Sequence, residues 1–228
     1  MSDAKLKIRQ HFERTPAALL AKFRDAASGP VVDAMGRRGA LDISIRPVTQ
    51  NTAFCGNALT VWTVPRDNLA PYAALKFAQP GDVLVVATAG CDEASVLGDI
   101  AIGMARNAGI VAVVTDGLVR DQRGLDAVGI PVFARGLSPN SPFKNGPGEI
   151  GGTVTLGRIS INPGDIVLGD VDGVVVVPRA SAAQVYERLQ AVLEKEAAME
   201  ARVTAGVTYP DWLDGVLDGP DIVFVEAQ

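Results

Sequence analysis

Two aspartates and an arginine are the residues of this chain whose types and spacing could support chemistry. Asp99 ends a small-residue turn, and Arg120 and Asp121 follow after twenty intervening residues that include a helical pattern and the apolar run 110–114. A helix followed by a short strand can return the chain to the sheet edge that it left, so we expect the three side chains to lie side by side. The sequence therefore predicts a polar site at one edge of a sheet.

Carboxylates and an arginine, without histidine or cysteine, favour one kind of metal chemistry. Hard cations such as Mg²⁺ or Mn²⁺ are held by one or two carboxylates together with waters and substrate oxygens. Arg120 would suit an anionic, oxygen-rich substrate, because its planar fork pairs with carboxylate groups in a bidentate manner. Enolate chemistry on a 2-oxo acid needs both features, a Lewis acid and an oxyanion stabiliser. Spacing alone leaves open an ordinary surface network of Asp116, Arg120, Asp121 and Arg123.

Composition excludes several classes of protein. The 228 residues carry a net charge of -5, and the 21 lysines and arginines are scattered, so no basic surface is expected for nucleic acid. The charged N-terminus lacks the apolar core of a signal peptide, and no apolar run approaches the roughly 18 residues that span a membrane. Cys55 and Cys91 show no C-x-x-C spacing and accompany a single histidine, which argues against a zinc site and for incidental or buried thiols. We expect one cytoplasmic domain that binds neither nucleic acid nor a membrane.

The elements that must position these residues are typical of an α/β fold. The uninterrupted apolar run 83–87 suits a strand in a sheet that is covered on both faces. Helical spacing predicts two helices within residues 4–27, separated at Thr15-Pro16, and a long helix over 178–203. The Pro-, Gly- and Asn-rich stretch 136–152 is predicted to be a loop without regular structure that packs near the site or at a subunit interface.

An Asp-Gly turn predicts a β-hairpin between residues 166 and 177. Asp170 and Asp172 in this turn could hold a metal, but aspartates at such turns more often bond the local backbone. We therefore expect these two side chains to fix the geometry of the turn.

Several stretches carry a resemblance to a known family, and the most specific is an Asp, twenty intervening residues, then Arg-Asp. The others are VVDAMGRRG (31–39), PRDNLA (65–70), QPGDVLVV (79–86), TDGLVRD (115–121), SPNSPFKNGPGEI (138–150) and NPGDIVLGDVDGVVVVP (162–178). Over nearly its whole length the chain resembles the regulator of ribonuclease activity A and the related 4-hydroxy-4-methyl-2-oxoglutarate/4-carboxy-4-hydroxy-2-oxoadipate aldolases. Phosphate-loop and dinucleotide fingerprints do not occur.

The resemblance implies a fold and an assembly. The fold would be a swivelling β/β/α single domain over 1–228, with N-terminal helices in 1–27 and a C-terminal helix and tail in 179–228. The assembly would be a homotrimer or a dimer of trimers, with active sites between subunits.

The resemblance also implies roles for particular residues. Asp121 is similar to the direct metal ligand, for Mg²⁺ or Mn²⁺, and Asp99 to an acid that orients water at the metal and takes part in proton transfer. Arg120 is similar to the residue that holds a pyruvate moiety and stabilises its enolate. The remaining implied residues are Gly98 and the backbone amides of Ile100 and Ala101 for the substrate carboxylate, and Glu196 as an acid from the adjacent subunit.

The implied function is that of a metal-dependent lyase that forms a pyruvate enolate. Its reaction would be retro-aldol cleavage of a 4-hydroxy-2-oxo acid, decarboxylation of oxaloacetate, or both. The alternative is a non-catalytic protein that binds and regulates a ribonuclease. One departure from the family pattern is Gly124, which stands where these proteins commonly carry an acid.

Overall fold

Residues 4–225 are described by a computed structural model in which helices and strands alternate through most of the chain. The helices of this range are α1 (Ala17–Leu20), α2 (Ser28–Ala34), α3 (Leu69–Ala74), α4 (Asp99–Asn107), α5 (Gln122–Val128), α6 (Ala182–Thr204) and α7 (Trp212–Leu217). Short 3-10 turns follow α1 and α3 and precede α6, at Ala21–Phe23, Leu75–Phe77 and Arg179–Ser181. The strands are β1 (Leu6–Ile8), β2 (Arg46–Pro47), β3 (Phe54–Thr63), β4 (Asp82–Ala87), β5 (Ser95–Leu97), β6 (Ala112–Thr115), β7 (Leu118–Val119), β8 (Val132–Ala134), β9 (Gly136–Leu137), β10 (Gly148–Ile150), β11 (Val154–Leu156), β12 (Ile159–Ile161), β13 (Ile166–Asp170) and β14 (Gly173–Val177).

A large mixed sheet forms the centre of the fold. Its strand order is β1-β10-β3-β4-β6-β8-β2, and the β13–β14 hairpin adds to β3. The neighbours β3, β4, β6 and β8 are parallel, as α/β crossovers require. All six residues of β4 are buried, which confirms the strand predicted from its apolar run.

The two faces of this sheet are covered by different layers. Leu84 and Val86 of β4 face a core that includes buried residues of α3, α4 and α5. Val83 and Val85, the alternate residues, face a second core built with β11 to β14. The result is a β/β/α arrangement of layers, and the predicted α/β fold with a long C-terminal helix is confirmed.

The prediction of two helices within residues 4–27 is wrong for the first of them. Leu6–Ile8 forms a strand at the edge of the sheet, parallel to β10, and the helical part is confined to α1 and the turn after it. Tertiary contacts override the helical spacing here: Arg14 makes a bidentate ion pair with buried Asp82, with two N···O distances of 2.7 Å. The segment that was expected to be helical therefore lies extended against the sheet.

The composition of the stretch 136–152 predicted a loop without regular structure, and this prediction is wrong. The stretch begins as β9 and ends as β10, which pairs with both β1 and β3 through backbone hydrogen bonds. Helix α5 is a further element that the sequence did not predict. The hairpin predicted between residues 166 and 177 is confirmed as β13 and β14.

The chain forms two compact units, of which the first ends at Leu189 and the second begins at Gln190. The first unit holds the sheets and helices α1 to α5. The second contains the C-terminal part of α6, then α7 and the tail, and its apolar side chains include the exposed residues Trp212 and Phe224. None of the helices in the described residues is long and apolar enough to cross a membrane.

Candidate functional site

A small parallel sheet brings the candidate residues together. Strands β5, β7 and β9 pair side by side in the same direction, with Leu97 opposite Val119. Gly98 and Asp99 come directly after β5, and Arg120 and Asp121 come directly after β7. Both pairs therefore lie at the carboxyl ends of the strands, at the same edge of this small sheet. Ligand sites commonly lie at the carboxyl ends of parallel strands. The juxtaposition predicted from the sequence therefore occurs, but the returning strand is β7 rather than the strand of residues 110–114.

Gly98 allows the two segments to approach closely. A Cβ atom at this position would lie 2.6 Å from Oδ2 of Asp121 and 3.1 Å from Cγ and Nε of Arg120. The backbone of Gly98 is extended, so the requirement for glycine is one of space rather than of conformation. Any side chain here would push the Asp121 carboxylate away from the N-terminus of α4.

Arg120 is held at the site from three directions. Its backbone amide donates to the Leu97 carbonyl at 3.1 Å, and its Nε donates to Oδ2 of Asp121 at 3.2 Å. Its Nη1 donates to Oγ of Ser141 at 2.7 Å, which ties the guanidinium to the segment after β9. About a third of the side chain is exposed, so the guanidinium is oriented but still accessible to an anionic ligand.

Asp121 occupies an unusual backbone conformation. Its φ of 64° and ψ of 45° are left-handed, a conformation that costs free energy for a residue with a side chain and is concentrated at functional sites. It is the N-cap of α5, yet its carboxylate makes no capping hydrogen bond. The carboxylate instead lies against Gly98 and Arg120.

Asp99 is half-buried at the start of α4 and packs against α5. Its Oδ1 accepts a hydrogen bond from the amide of Ile100 at 2.7 Å, so this amide is engaged before any ligand binds. A Cβ atom at Gly124 would lie 2.7 Å from Cβ and 2.8 Å from Cγ of Asp99 and would overlap its carboxylate. The missing side chain at Gly124 therefore provides the space that Asp99 occupies.

These residues line one cavity of about 120 Å³. Its wall includes every residue predicted for the site in the first unit: Gly98, Asp99, Ile100, Ala101, Arg120 and Asp121. It also includes residues that the sequence reasoning did not assign, notably Asn68, Ser141 and Lys144. The only sequence signal for these three was their position in the stretches PRDNLA and SPNSPFKNGPGEI. The prediction that the segment 136–152 packs near the site is confirmed by Ser141.

Other sequence candidates do not join this cavity. Asp116 accepts hydrogen bonds from the amides of Thr88 and Gly90 and from the Thr88 hydroxyl, so it fixes a turn. Asp170 accepts a hydrogen bond from the amide of Asp172 at 3.0 Å, which agrees with the role in the turn expected for it. It also accepts from the amide and the hydroxyl of Ser28 at the start of α2, a contact that the sequence did not predict. Glu196 lies exposed on α6 in the second unit, and its predicted role stays a prediction.

A larger cleft of about 540 Å³ lies elsewhere on the first unit, against β1 and the turn before β10. Its wall includes Trp62, Lys5, Lys7 and Glu149, with backbone from a Gly-Pro-Gly turn. This cleft lacks the pair of carboxylates with an arginine that the smaller cavity holds. The chemistry of the lining, rather than the volume, identifies the smaller cavity as the candidate site.

The donor set fits a magnesium-type ion held mainly by the substrate and water. No cluster of three or more histidine, cysteine, aspartate or glutamate side chains in residues 4–225 could enclose a metal. Mg²⁺, however, commonly keeps several waters and uses only one or two carboxylates together with substrate oxygens. Asp121, with its carboxylate exposed at the cavity, is compatible with such a site.

Comparison with known proteins shows that the chain is similar both to a protein named as an aldolase and to a member of an RNase inhibitor family. A family profile described as "RraA-like: Aldolase/RraA" matches residues 28–176, a range that includes Asp99, Arg120 and Asp121. A Halalkalibacterium halodurans protein named "Putative 4-hydroxy-4-methyl-2-oxoglutarate aldolase" is 36% identical over 186 residues, which cover 82% of this chain and 87% of that protein.

Two solved structures also resemble this chain over most of its length. An uncharacterized protein from Pseudomonas syringae has a TM-score of 0.75 and 28% identity, over 86% of this chain and 97% of its own. Streptomyces coelicolor RraAS2, described as an unusual member of the RNase ES inhibitor RraA protein family, has a TM-score of 0.73 and 27% identity, over 83% of this chain and all of its own. Because the family profile covers more than half of the sequence, the chain belongs to the aldolase/RraA family.

Proposed function

We propose that this protein is a divalent-metal-dependent lyase that forms a pyruvate enolate from a small 2-oxo acid. The observation that carries the proposal is the convergence of Asp99, Arg120 and Asp121 on one cavity at the ends of parallel strands. The relative named as an aldolase supports the same class of reaction. The substrates would be a 4-hydroxy-2-oxo acid of the 4-hydroxy-4-methyl-2-oxoglutarate type, oxaloacetate, or both.

Each residue has a distinct task in the proposed reaction. Asp121 would hold Mg²⁺ or Mn²⁺, which when bound supplies Lewis-acid polarisation of the 2-oxo group. The guanidinium of Arg120 stabilises the negative charge that develops on the 2-oxo oxygen as the C3–C4 bond breaks. Asp99 positions a water that accepts the proton of the C4 hydroxyl and later returns a proton to C3, which gives pyruvate.

The substrate carboxylate would bind at the N-terminus of α4, next to Gly98. The amides of Ile100 and Ala101 point from the first turn of this nine-residue helix, where partial positive charge favours an anion. The amide of Ile100 already donates to Asp99, so carboxylate binding there requires Asp99 to release it. This exchange would free the Asp99 carboxylate for proton transfer when substrate arrives.

The decisive experiment measures pyruvate release with a lactate dehydrogenase-coupled assay, using 4-hydroxy-4-methyl-2-oxoglutarate and oxaloacetate. We expect activity that requires Mg²⁺ or Mn²⁺, is abolished by a chelator, and falls by at least about 100-fold in Asp121→Ala, because the metal supplies several kcal/mol of charge stabilisation. Asp92→Ala, an exposed aspartate outside the cavity, is the matched control. Unchanged pyruvate release in Asp121→Ala would refute the proposal.

A second candidate function is regulation of a ribonuclease by direct binding. The resemblance to RraAS2, a member of an RNase inhibitor family, favours it. Such a protein needs its outer surface but not Asp121. An RNA-decay assay and a pull-down with purified ribonuclease separate the two: inhibition that survives Asp121→Ala, in a protein without pyruvate release, would favour the regulator.

We propose that the active protein is a homotrimer or a dimer of trimers in the cytoplasm. Exposed apolar side chains of the second unit, such as Trp212, Val216 and Phe224, are typical of surfaces that pack against a partner. Glu196 of the adjacent subunit would then supply a further acid. Light scattering coupled to size exclusion measures the mass of the assembly, and a lower pyruvate release in Glu196→Gln would support this role.

A further inference from the structure

The N-terminal strand β1 leaves one edge of the large sheet without a partner. Within residues 4–225 it pairs only with β10, and it is the first strand in the order of that sheet. The Lys5 carbonyl and the Arg9 amide bond to β10, so the backbone groups of alternate residues of this strand point inwards. Those of Leu6 and Ile8 therefore point away from the sheet. An edge of this kind is a template for a further strand.

Basic side chains line this free edge. Lys5, Lys7 and Arg9 alternate along the chain, so they share one face of the strand, and all three are exposed. None of them makes an ion pair with another residue in the described part of the chain. Charged side chains on an edge strand discourage pairing with a neutral strand. They favour a strand that brings acidic residues, since opposite charges on neighbouring strands stabilise a sheet.

The larger cleft of about 540 Å³, which we call the edge cleft, adjoins this strand. The register places Lys7 opposite Glu149 and Glu149 opposite Trp62, so the three side chains form a row on one face of the sheet. Trp62 is 38% exposed although β3 is an inner strand. An exposed indole beside lysines suits an aromatic side chain that acidic residues accompany.

The C-terminal tail has the composition that this surface requires. No lysine or arginine follows Arg202, and the acidic residues after it are Asp211, Asp214, Asp218, Asp221 and Glu226. Residues 222–225, Ile-Val-Phe-Val, all have high strand propensity, yet this segment forms no strand. Val223, Phe224 and Val225 are 80%, 79% and 90% exposed. Adjacent apolar side chains left in solvent are typical of a segment that associates with another surface.

We propose that the segment 222–225 of a second copy of this chain adds to the free edge of β1 as a further strand and places Phe224 in the edge cleft. The alternate residues of the added strand then point to the opposite face, where Ile8 is exposed. Asp221, directly before the added strand, brings a negative charge to the basic edge. The outward backbone groups of β1 gain hydrogen bonds, and apolar side chains of both copies become buried.

The position of the edge cleft agrees with the proposed assembly. Lys144 lines the site cavity and the next residue, Asn145, lines the edge cleft, so the two are neighbours on the surface. In the proposed assembly Glu196 of the adjacent subunit reaches the cavity. Helix α6 ends at Thr204, about 12 Å beyond Glu196, so the tail of that subunit would emerge close to the cleft. The inference goes beyond the lyase function and rests only on the assembly of more than one copy.

Crosslinking tests whether the two surfaces meet between copies. Lys7→Cys and Val223→Cys are placed on two co-expressed chains that carry different affinity tags, and a short bismaleimide joins the thiols. Neighbouring strands hold Cβ atoms about 4.5–5.5 Å apart, so we expect a product that carries both tags. The matched control combines Val223→Cys with Lys76→Cys, which replaces an exposed lysine outside the cleft and should give little of this product. The native cysteines are common to both experiments.

Hydrogen exchange reports the added strand itself. At concentrations at which the assembly forms, the amides of Leu6 and Ile8 should be protected. In Phe224→Ser they should exchange at least about threefold faster, because the hydrogen bonds to the added strand are lost. Val171→Ser removes an apolar side chain that is 71% exposed in the turn between β13 and β14, and it should leave both amides unchanged.

Charge reversal tests the electrostatic part of the proposal. Lys7→Glu should speed the exchange of β1 as Phe224→Ser does, because like charges then face each other. Asp221→Lys added to Lys7→Glu should restore the protection. A crosslink between the two tagged chains, together with these changes in exchange, supports the proposal.

Three results would overturn it. A crosslink that forms only within a chain carrying both cysteines would assign the edge cleft to the chain's own tail. A monomeric mass by light scattering, or exchange of β1 that is unaffected by Phe224→Ser, would exclude a second copy as the occupant and leave the cleft to a different protein. None of these measurements uses pyruvate release, so the proposal and the lyase function can each fail without the other.

Discussion

Replacement of Gly124 by alanine tests whether the position of Asp99 depends on a missing side chain. The new Cβ would lie 2.7 and 2.8 Å from two carbon atoms of Asp99, whereas carbon atoms pack at about 3.5–4.0 Å. Asp99 must therefore move by about 1 Å. A misplacement of this size can cost about 100-fold in rate, so we expect Gly124→Ala to lower pyruvate release by about 10- to 100-fold.

Gly103→Ala is the matched control. Gly103 lies in α4, which packs against α5, and a Cβ there would meet Val128 at an ordinary 3.8 Å. Both replacements put alanine for glycine in a helix and gain up to about 1 kcal/mol of helix propensity. Only Gly124→Ala should lose activity, and thermal unfolding of both variants reports any general loss of stability.

A double-mutant cycle identifies the cause of the loss. If Gly124→Ala acts by displacing the Asp99 carboxylate, it should reduce pyruvate release little further in an Asp99→Ala background. Full activity in Gly124→Ala, or losses that simply multiply in the double variant, would refute this reasoning.

Three further predictions concern other parts of the first unit. Gly98→Ala should raise the Mg²⁺ concentration for half-maximal pyruvate release by about tenfold or more, because its Cβ would displace the Asp121 carboxylate; an unchanged Mg²⁺ titration would contradict this. Burial acts to raise the pKa of Asp170, but hydrogen bonds from Ser28 outweigh it and lower that pKa below its usual value. Asp170→Asn should therefore lower the free energy of unfolding by about 1–2 kcal/mol at pH 7, and the difference from wild type should shrink as the pH falls through the lowered pKa of the folded state; a constant difference in denaturant titrations would count against it. Burial raises the pKa of the Cys55 thiol to about 12, so a thiol reagent at pH 8 should label Cys55 only after unfolding, and rapid labelling of Cys55 in the native protein would disprove this.

The sequence could predict the elements whose side-chain patterns match their environment. The buried run of β4 and the helix α4 carry apolar spacings that suit their surroundings, and both lie where expected. The N-terminal strand β1 could not be recognised, because it forms by backbone pairing with β10, and the chain after it is held extended by the Arg14–Asp82 ion pair. Local spacing carries no information about either contact.

The site likewise combines features that local sequence patterns reveal with features that only tertiary contacts reveal. The spacing of Asp99 and Arg120 was sufficient to predict their juxtaposition, although β7, the short strand that produces it, has too few residues to show a pattern. Asn68 could not be identified as an unpartnered acceptor from the sequence, because an asparagine before a helix is expected to cap it. Only the structure shows that its nitrogen is bonded to Val96 and that its oxygen is left without a partner.

Each of the two acids of the site occupies space that a glycine of the neighbouring segment leaves open. The carboxylate of Asp121 lies against Gly98, in the segment of Asp99, and the carboxylate of Asp99 lies against Gly124, in the helix that Asp121 begins. Each glycine therefore provides the space for the other segment's acid, and Asp121 does not use its side chain to cap its own helix. Because this carboxylate forgoes a local hydrogen bond that would stabilise the fold, its arrangement is better explained by binding a ligand than by stability. A family member with an acid in place of Gly124 must hold its counterpart of Asp99 in another conformation, so this position should vary together with the geometry of proton transfer.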